Sequence, residues 1–220
     1  TNQVKHFNYS KREMASDMKQ MMVKLGYPQF FVAGHDRGGR VAHRLARDHR
    51  KNVLALSVLD ICPTLDMYQS TDKEFATVYF HWFFLIQPYD LPERIIKQNP
   101  AMWMDTCLQK WSKGFNFKYA RKEYLKYYKK EAIIHSTCED YRAGSSIDLV
   151  HDQKDKNKKL NIPIQALWGN QGFVHKKYKP IKIWQKYTNK KVVGSVIKCG
   201  HFLPEEKPKE VINHLIKFFL

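Results

Sequence analysis

Cysteine is scarce in this chain of 220 residues: Cys62, Cys107, Cys138 and Cys199 are its only four. None forms a CxxC pair, and none stands at zinc-like spacing from a histidine. That pattern excludes a disulfide-stapled scaffold and a structural zinc centre; it predicts reduced thiols, no metal and a cytoplasmic setting. Long apolar runs are missing too. The strongest, Val78 to Ile86, is too short to span a bilayer and carries His81. Acidic residues are few, 21 against 38 lysines and arginines, so the net charge is +17. Such an excess fits a nucleic-acid or anionic-membrane partner. The lysines are spread along the chain, however, and the densest cluster, Lys154 to Lys159, reads as a polar loop. A solvated surface therefore explains the charge better, and nucleic acid is not an expected partner. A positive field would still draw small anionic substrates toward a cleft.

Glycine is sparse as well, with ten residues, yet Gly34, Gly38 and Gly39 fall within one stretch of six. Ahead of it, Ser10-Lys11-Arg12-Glu13 has the pattern of a capping box. Met14, Met18, Met21, Met22 and Leu25 follow at helical spacing, which predicts a core-facing stripe ended by Gly26. Gln29 to Ala33 reads as a strand, Gly39 to His49 as a helix, and the apolar run Val53 to Ile61 as a strand buried on both faces. Strand, helix, strand predicts a parallel sheet and an α/β fold. From Pro63 to about Lys159 the rhythm gives way to aromatic-rich helical stretches such as Tyr119 to Ala132, read as an inserted helical cap. Strands then return at Ile162 to Gly169 and in Lys191 to Gly200, with helices over Pro180 to Tyr187 and Pro208 to Leu220. The expected division is an α/β core from residues 1–63 and 160–220 and a helical cap from 64–159. A chain this long can bury one sizeable core.

Gly34-His35-Asp36-Arg37-Gly38-Gly39 fits the small-x-nucleophile-x-small-small spacing of a nucleophile elbow. Small neighbours are needed because the central residue takes a strained backbone and rises to the sheet edge at a helix N-terminus. An ordinary βα turn with Asp36 as N-cap would have the same look, so partners decide. "KCGHFLPEEKP" supplies His201 after the last strand as a base. After the penultimate strand, "LWGNQGFVH" has no carboxylate at Asn170, Gln171 or Gly172, whereas "VLDICPT" supplies Asp60 at the end of the strand that follows the elbow. An aspartate nucleophile suits a saturated carbon bearing a leaving group, such as a halide or an epoxide; the resulting ester would be cut by histidine-activated water. Arg37 and Arg40, one turn apart, could hold a small carboxylate; a surface arginine is an equal alternative for Arg40 and a lesser one for Arg37.

The stretches "FFVAGHDRGGRVAHRLARDH", "VLDICPTLDMY", "FATVYFHWFFLIQPYDLPERII" and "CGHFLPEEKP" resemble the haloacetate (fluoroacetate) dehalogenases of the α/β-hydrolase superfamily, in register from roughly Tyr9 to the C-terminus. Related epoxide hydrolases and haloalkane dehalogenases typically carry tryptophan where this chain has Arg37. The resemblance implies the α/β-hydrolase fold with an inserted helical cap, no cofactor, and Asp36, His201 and Asp60 as nucleophile, base and orienting acid. It implies Arg37 and Arg40 for the substrate carboxylate, and His81, Trp82 and Tyr141 for the halide. Taken without the resemblance, His81 and Trp82 read as a buried aromatic helix face. The resemblance also implies a further N-terminal portion with the first strands and an oxyanion loop, after which this chain begins. A truncated fold of that kind would expose the edge of the elbow strand, where two copies could associate as a homodimer.

Three functions follow: a cofactor-independent hydrolase taking a small anionic haloacid and water, an epoxide hydrolase, which would need two tyrosine donors over Asp36, or an inactive remnant or basic binding module.

Overall fold

The computed structural model describes residues 5–220. Its first long helix is α1 (Lys11–Lys24), and the capping box is present: Ser10 Oγ accepts the Glu13 N–H at 3.3 Å. The methionine stripe, expected in the core, is mostly outside it. Met18, Met21 and Leu25 are 42, 46 and 62% exposed, while Ala15 is fully buried and Lys11 nearly so. Helical spacing identifies a stripe but not the face that gets covered. Here the neighbouring stripe, Lys11, Ala15 and Met22, is the one turned inward, and Ala15 and Met22 join the main core.

Strand β1 (Phe30–His35) runs directly into α2 (Asp36–Asp48), which returns to β2 (Val53–Leu59). Ile164–Gly169 (β3) and Val192–Ile197 (β4) complete a four-stranded sheet in the order β1-β2-β3-β4, parallel at every pairing. The elbow helix begins at Asp36, three residues earlier than the periodicity indicates, so Asp36 and Arg37 occupy its first turn. Ala42, Leu45 and Ala46 of α2 pack on Val53, Leu56 and Val58 of β2 and Ile164 of β3. β1 is an outer strand; its Phe31 is 44% exposed and stacks on Phe219 with ring centroids 5.0 Å apart.

Between β2 and β3 the chain is helical: α3 (Thr64–Gln69), α4 (Lys73–Val78), α5 (Phe80–Leu85), α6 (Leu91–Gln98), α7 (Pro100–Ser112), α8 (Lys118–Tyr128), α9 (Glu131–Gly144) and α10 (Ile147–Asp155). The single helix expected over Tyr119 to Ala132 is two, because Lys130 is extended (φ −80°, ψ 127°) and ends the run. After β3 come α11 (Phe173–Lys177) and α12 (Pro180–Trp184), and after β4 come α13 (Leu203–Glu206) and α14 (Pro208–Phe219). No helix among the described residues is long and apolar enough to cross a membrane.

Part of the basic excess is internal. Arg44 of α2 is buried and donates to Asp48 (3.0 Å), Asp152 (2.5 Å) and Asp155 (2.8 Å), joining the elbow helix to α10. Removing one partner of a buried ion pair strands the others, at a cost of about 3–5 kcal/mol. Arg44→Ala should therefore lower stability by that amount in urea unfolding. A change within a few tenths of a kcal/mol would show the network to be inert.

Candidate active site

In a parallel sheet all carboxyl ends lie on one edge, so the residues that follow β1, β2, β3 and β4 meet there. Asp36 has φ 45° and Asp60 φ 51°, both in the left-handed region that L-residues avoid. The elbow is closed tightly: a Cβ at Gly34 would lie 2.4 Å from the Gly38 carbonyl oxygen. Only glycine fits there.

The sequence-derived trio converges. His201 Nδ1 lies 2.7 Å from Asp60 Oδ2, and its Nε2 lies 3.7 Å from Asp36 Oδ2. Asp60 is buried, and its Oδ1 accepts the Gly169 N–H at 3.0 Å, which leaves Oδ2 for the imidazole. The His201 N–H donates to the Trp111 carbonyl at 2.9 Å, and His35 Nε2 meets the His201 carbonyl at 2.7 Å. Burial opposes a charge on His201, but Asp36 and Asp60 flank it and push its pKa up to about 10. Enclosure disfavours ionised Asp36, yet His201, Arg40 and His35 hold it far below the usual carboxylate range. At neutral pH the resting pair is Asp36 carboxylate with His201 imidazolium. NMR titration should find His201 losing its proton near pH 10. Asp36→Asn removes one of its two carboxylates and should move that transition to lower pH; an unmoved transition would contradict the pairing.

A small enclosed cavity of about 20 Å³ is lined by Asp36, Arg40, Asp60, Tyr79, His81, Trp82, Trp111 and His201, room for one water or a comparably small group. Three buried donors or acceptors on those residues have no partner: Arg40 Nε, His81 Nδ1 and Trp111 Nε1. Buried polar atoms are normally paired, so lining residues that carry unpaired ones suit a polar or anionic guest. Burial lowers the His81 pKa to about 3, so His81 is neutral and carries one ring N–H. Its ring lies 5.6 Å from that of Tyr141 and 4.5 Å from that of Trp111. A larger cavity of about 480 Å³ adjoins on the side of His201 and Trp111, bordered by Lys110, Lys113, Asn170 and Gln171.

The two arginines differ. Arg40 is not a surface residue; it is 4% exposed, donates to the Cys62 carbonyl (3.2 Å) and Thr64 Oγ1 (3.0 Å), and stacks 4.7 Å over Trp82. Arg37 lies outside the small cavity's lining, 4.1 Å over the Tyr141 ring. Its Nε donates to Asp140 Oδ2 at 2.5 Å and its Nη2 to the Asp140 carbonyl at 2.9 Å. Trp111 and Tyr79 were not among the residues singled out by spacing. Trp111 sits at the end of α7 with no motif around it, and Tyr79 lies two residues before His81 in a run of aromatics. A second cluster, Glu93, His135 and Glu139, has ligand-like spacing, but Arg142 Nη1 already donates to both carboxylates at 2.6 Å.

A carboxylate at a helix start beside an imidazole held by a second carboxylate is an arrangement chemically able to displace a leaving group and then hydrolyse the product ester. Comparisons with known proteins agree with the architecture. The family described as the alpha/beta hydrolase fold matches residues 1–208. A fluoroacetate dehalogenase of Burkholderia sp is 37% identical over 218 residues, spanning 97% of this chain and 71% of that protein. A soluble epoxide hydrolase of Corynebacterium sp. (strain C12) is 32% identical, spanning 96% of this chain and 74% of that protein. A crystal structure from Nostoc sp PCC 7120, provisionally assigned as an alpha/beta hydrolase, superposes with a TM-score of 0.94 at 50% identity over 97% of this chain and 74% of that one. The chain belongs to the α/β-hydrolase fold family.

Proposed function

We propose that this chain is a hydrolase that releases halide from a short 2-haloacid, converting haloacetate and water to glycolate and halide without a cofactor. The observation that carries this reading is Arg40: a buried guanidinium with an unpartnered Nε, on the same small cavity as Asp36. A carboxylate is the guest that matches it.

Asp36 Oδ attacks the carbon bearing the halogen, the C–X bond breaks, and the halide leaves with the electron pair. Arg40 holds the carboxylate, with Arg37, one turn away on α2 and outside the small cavity's lining, as the second cation. His81, Trp82, Tyr141 and the additional donor Trp111 offer hydrogen bonds to the departing halide, which matter most for fluoride. Ester formation consumes the Asp36 charge, and with it one of the two supports of the His201 imidazolium. His201 thereby releases its proton to solvent, where it balances the departed halide, and becomes a base. It takes a proton from water, hydroxide adds to the Asp36 carboxyl carbon, and the acyl–oxygen bond breaks. Glycolate leaves with a proton returned by His201, and the Asp36 carboxyl then passes its own proton to His201, restoring the resting carboxylate–imidazolium pair. Asp60 Oδ2, 2.7 Å from Nδ1, holds the ring throughout.

Epoxide opening is the second reading. It is favoured by Tyr79, which lines the cavity with Asp36, and by Tyr141 beside His81, two hydroxyls that could hold an epoxide oxygen. Incubation with fluoroacetate, chloroacetate and a neutral epoxide, with Asp36→Asn as control, separates the two. Halide release that Asp36→Asn abolishes supports the first reading; diol formation without halide release would replace it by the second.

A further inference from the structure

We propose that Lys11, on a helix outside the cavity, is a positioning residue for substrate recognition: through Asp140 it sets the position and effective charge of Arg37. This rests on the haloacid reading above.

Lys11 is 4% exposed, on the inward face of α1. Its Nζ donates to Asp140 Oδ1 and lies 3.5 Å from Asp148 Oδ2, and its backbone N–H donates to Asp148 Oδ1 at 2.9 Å. Asp140 is divided between two cations, Oδ1 to Lys11 and Oδ2 to Arg37. The seat of Arg37 is shaped on its other side by Gly144, where a Cβ would lie 3.1 Å from Nη2. The guanidinium is therefore held by three features: the Asp140 carboxylate and carbonyl, the Tyr141 ring beneath it and the missing side chain at Gly144. Of its three nitrogens, Nη1 has no bond within this seat.

A carboxylate at 2.5 Å competes with any substrate anion for Arg37. Left alone, Asp140 and Arg37 would cancel, and little attraction would remain for a second carboxylate. Lys11 draws on the same carboxylate from its far side and offsets that cancellation. Both groups are buried, so water screens the effect little. Burying a lysine this deeply takes charged partners, and here they are Asp148 and Asp140, the carboxylate that also holds Arg37.

Interactions with the substrate carboxylate are the same before and during displacement, so a loss there raises KM and spares kcat. Lys11→Met should raise the KM for chloroacetate about 10-fold with kcat within about 2-fold. Lys11→Gln, which keeps a donor to Asp140 but not the charge, should do the same if Lys11→Met melts early. The double change Lys11→Met/Asp140→Asn removes the competing carboxylate as well and should bring KM back to within about 3-fold of the starting value. A merely structural lysine would predict the opposite: kcat falling with the folded fraction, and a double variant no better than the single.

Acetate binding by calorimetry, in the Asp36→Asn background, reads the same site without turnover. Acetate bound equally with and without Lys11→Met overturns the proposal and leaves the haloacid reading standing. No acetate binding and no halide release by the unaltered chain overturns both. Weaker acetate binding in Lys11→Met, restored in the double variant, supports it.

Discussion

Replacing His201 by glutamine should leave Asp36 able to take the alkyl group and unable to lose it. Attack needs only ionised Asp36, whose charge is also supported by Arg40 and His35. Hydrolysis needs a base beside the ester, and His201 Nε2, 3.7 Å from Asp36 Oδ2 and fixed from behind by Asp60, is in place for it. Turnover of chloroacetate by His201→Gln should fall by about 10³-fold or more, the scale of losing a general base from a cooperating set. The protein itself should gain about 58 Da, the mass of a carboxymethyl group on a carboxylate. Peptide mapping should place that mass on the segment containing Asp36. An unmodified protein with equally low turnover would mean that His201 supports the first displacement, and the two-step scheme would need revision.

Arg40 carries the second large effect. Its guanidinium is buried, with two contacts to backbone or side-chain oxygen and an unpartnered Nε, and the residue lines the same cavity as Asp36. Truncating one partner of a buried hydrogen-bonded charge pair costs several kcal/mol, so Arg40→Met should reduce kcat/KM for chloroacetate about 10²–10³-fold. Most of the loss should appear in KM. Arg40→Lys keeps a point charge but not the planar fork, and should fall between the two. A neutral epoxide makes no use of a carboxylate clamp. If Arg40→Met leaves chloroacetate kinetics unchanged, the anionic-substrate reading is wrong.

Why some of this was readable from the sequence and some was not follows from where each residue's constraint lies. Asp36 was legible because the elbow's spacing has a local steric cause, which Gly34 shows directly. His201 and Asp60 were legible because parallel strands deliver their carboxyl ends to one edge, and because Asn170 and Gln171 leave the alternative position without a carboxylate. His81, Trp82 and Tyr141 came from resemblance alone, since an aromatic helix face reads the same whether or not it encloses a guest. Tyr79, Trp111, Lys11 and Asp140 left no local signal. Trp111 meets His201, and Lys11 meets Asp140, only after some ninety or more intervening residues have folded. The outward turn of Met18, Met21 and Leu25 has the same lesson: periodicity marks an apolar stripe, while tertiary packing decides which stripe is covered.

The central claim is that oxygen reaches the product from Asp36 and not directly from water. A single turnover of chloroacetate in water labelled with heavy oxygen tests it, with enzyme in excess over substrate and both glycolate and the Asp36 peptide analysed by mass spectrometry. The account predicts unlabelled glycolate and a label in the Asp36 carboxylate. Labelled glycolate from the first turnover, with Asp36 unlabelled, would contradict it.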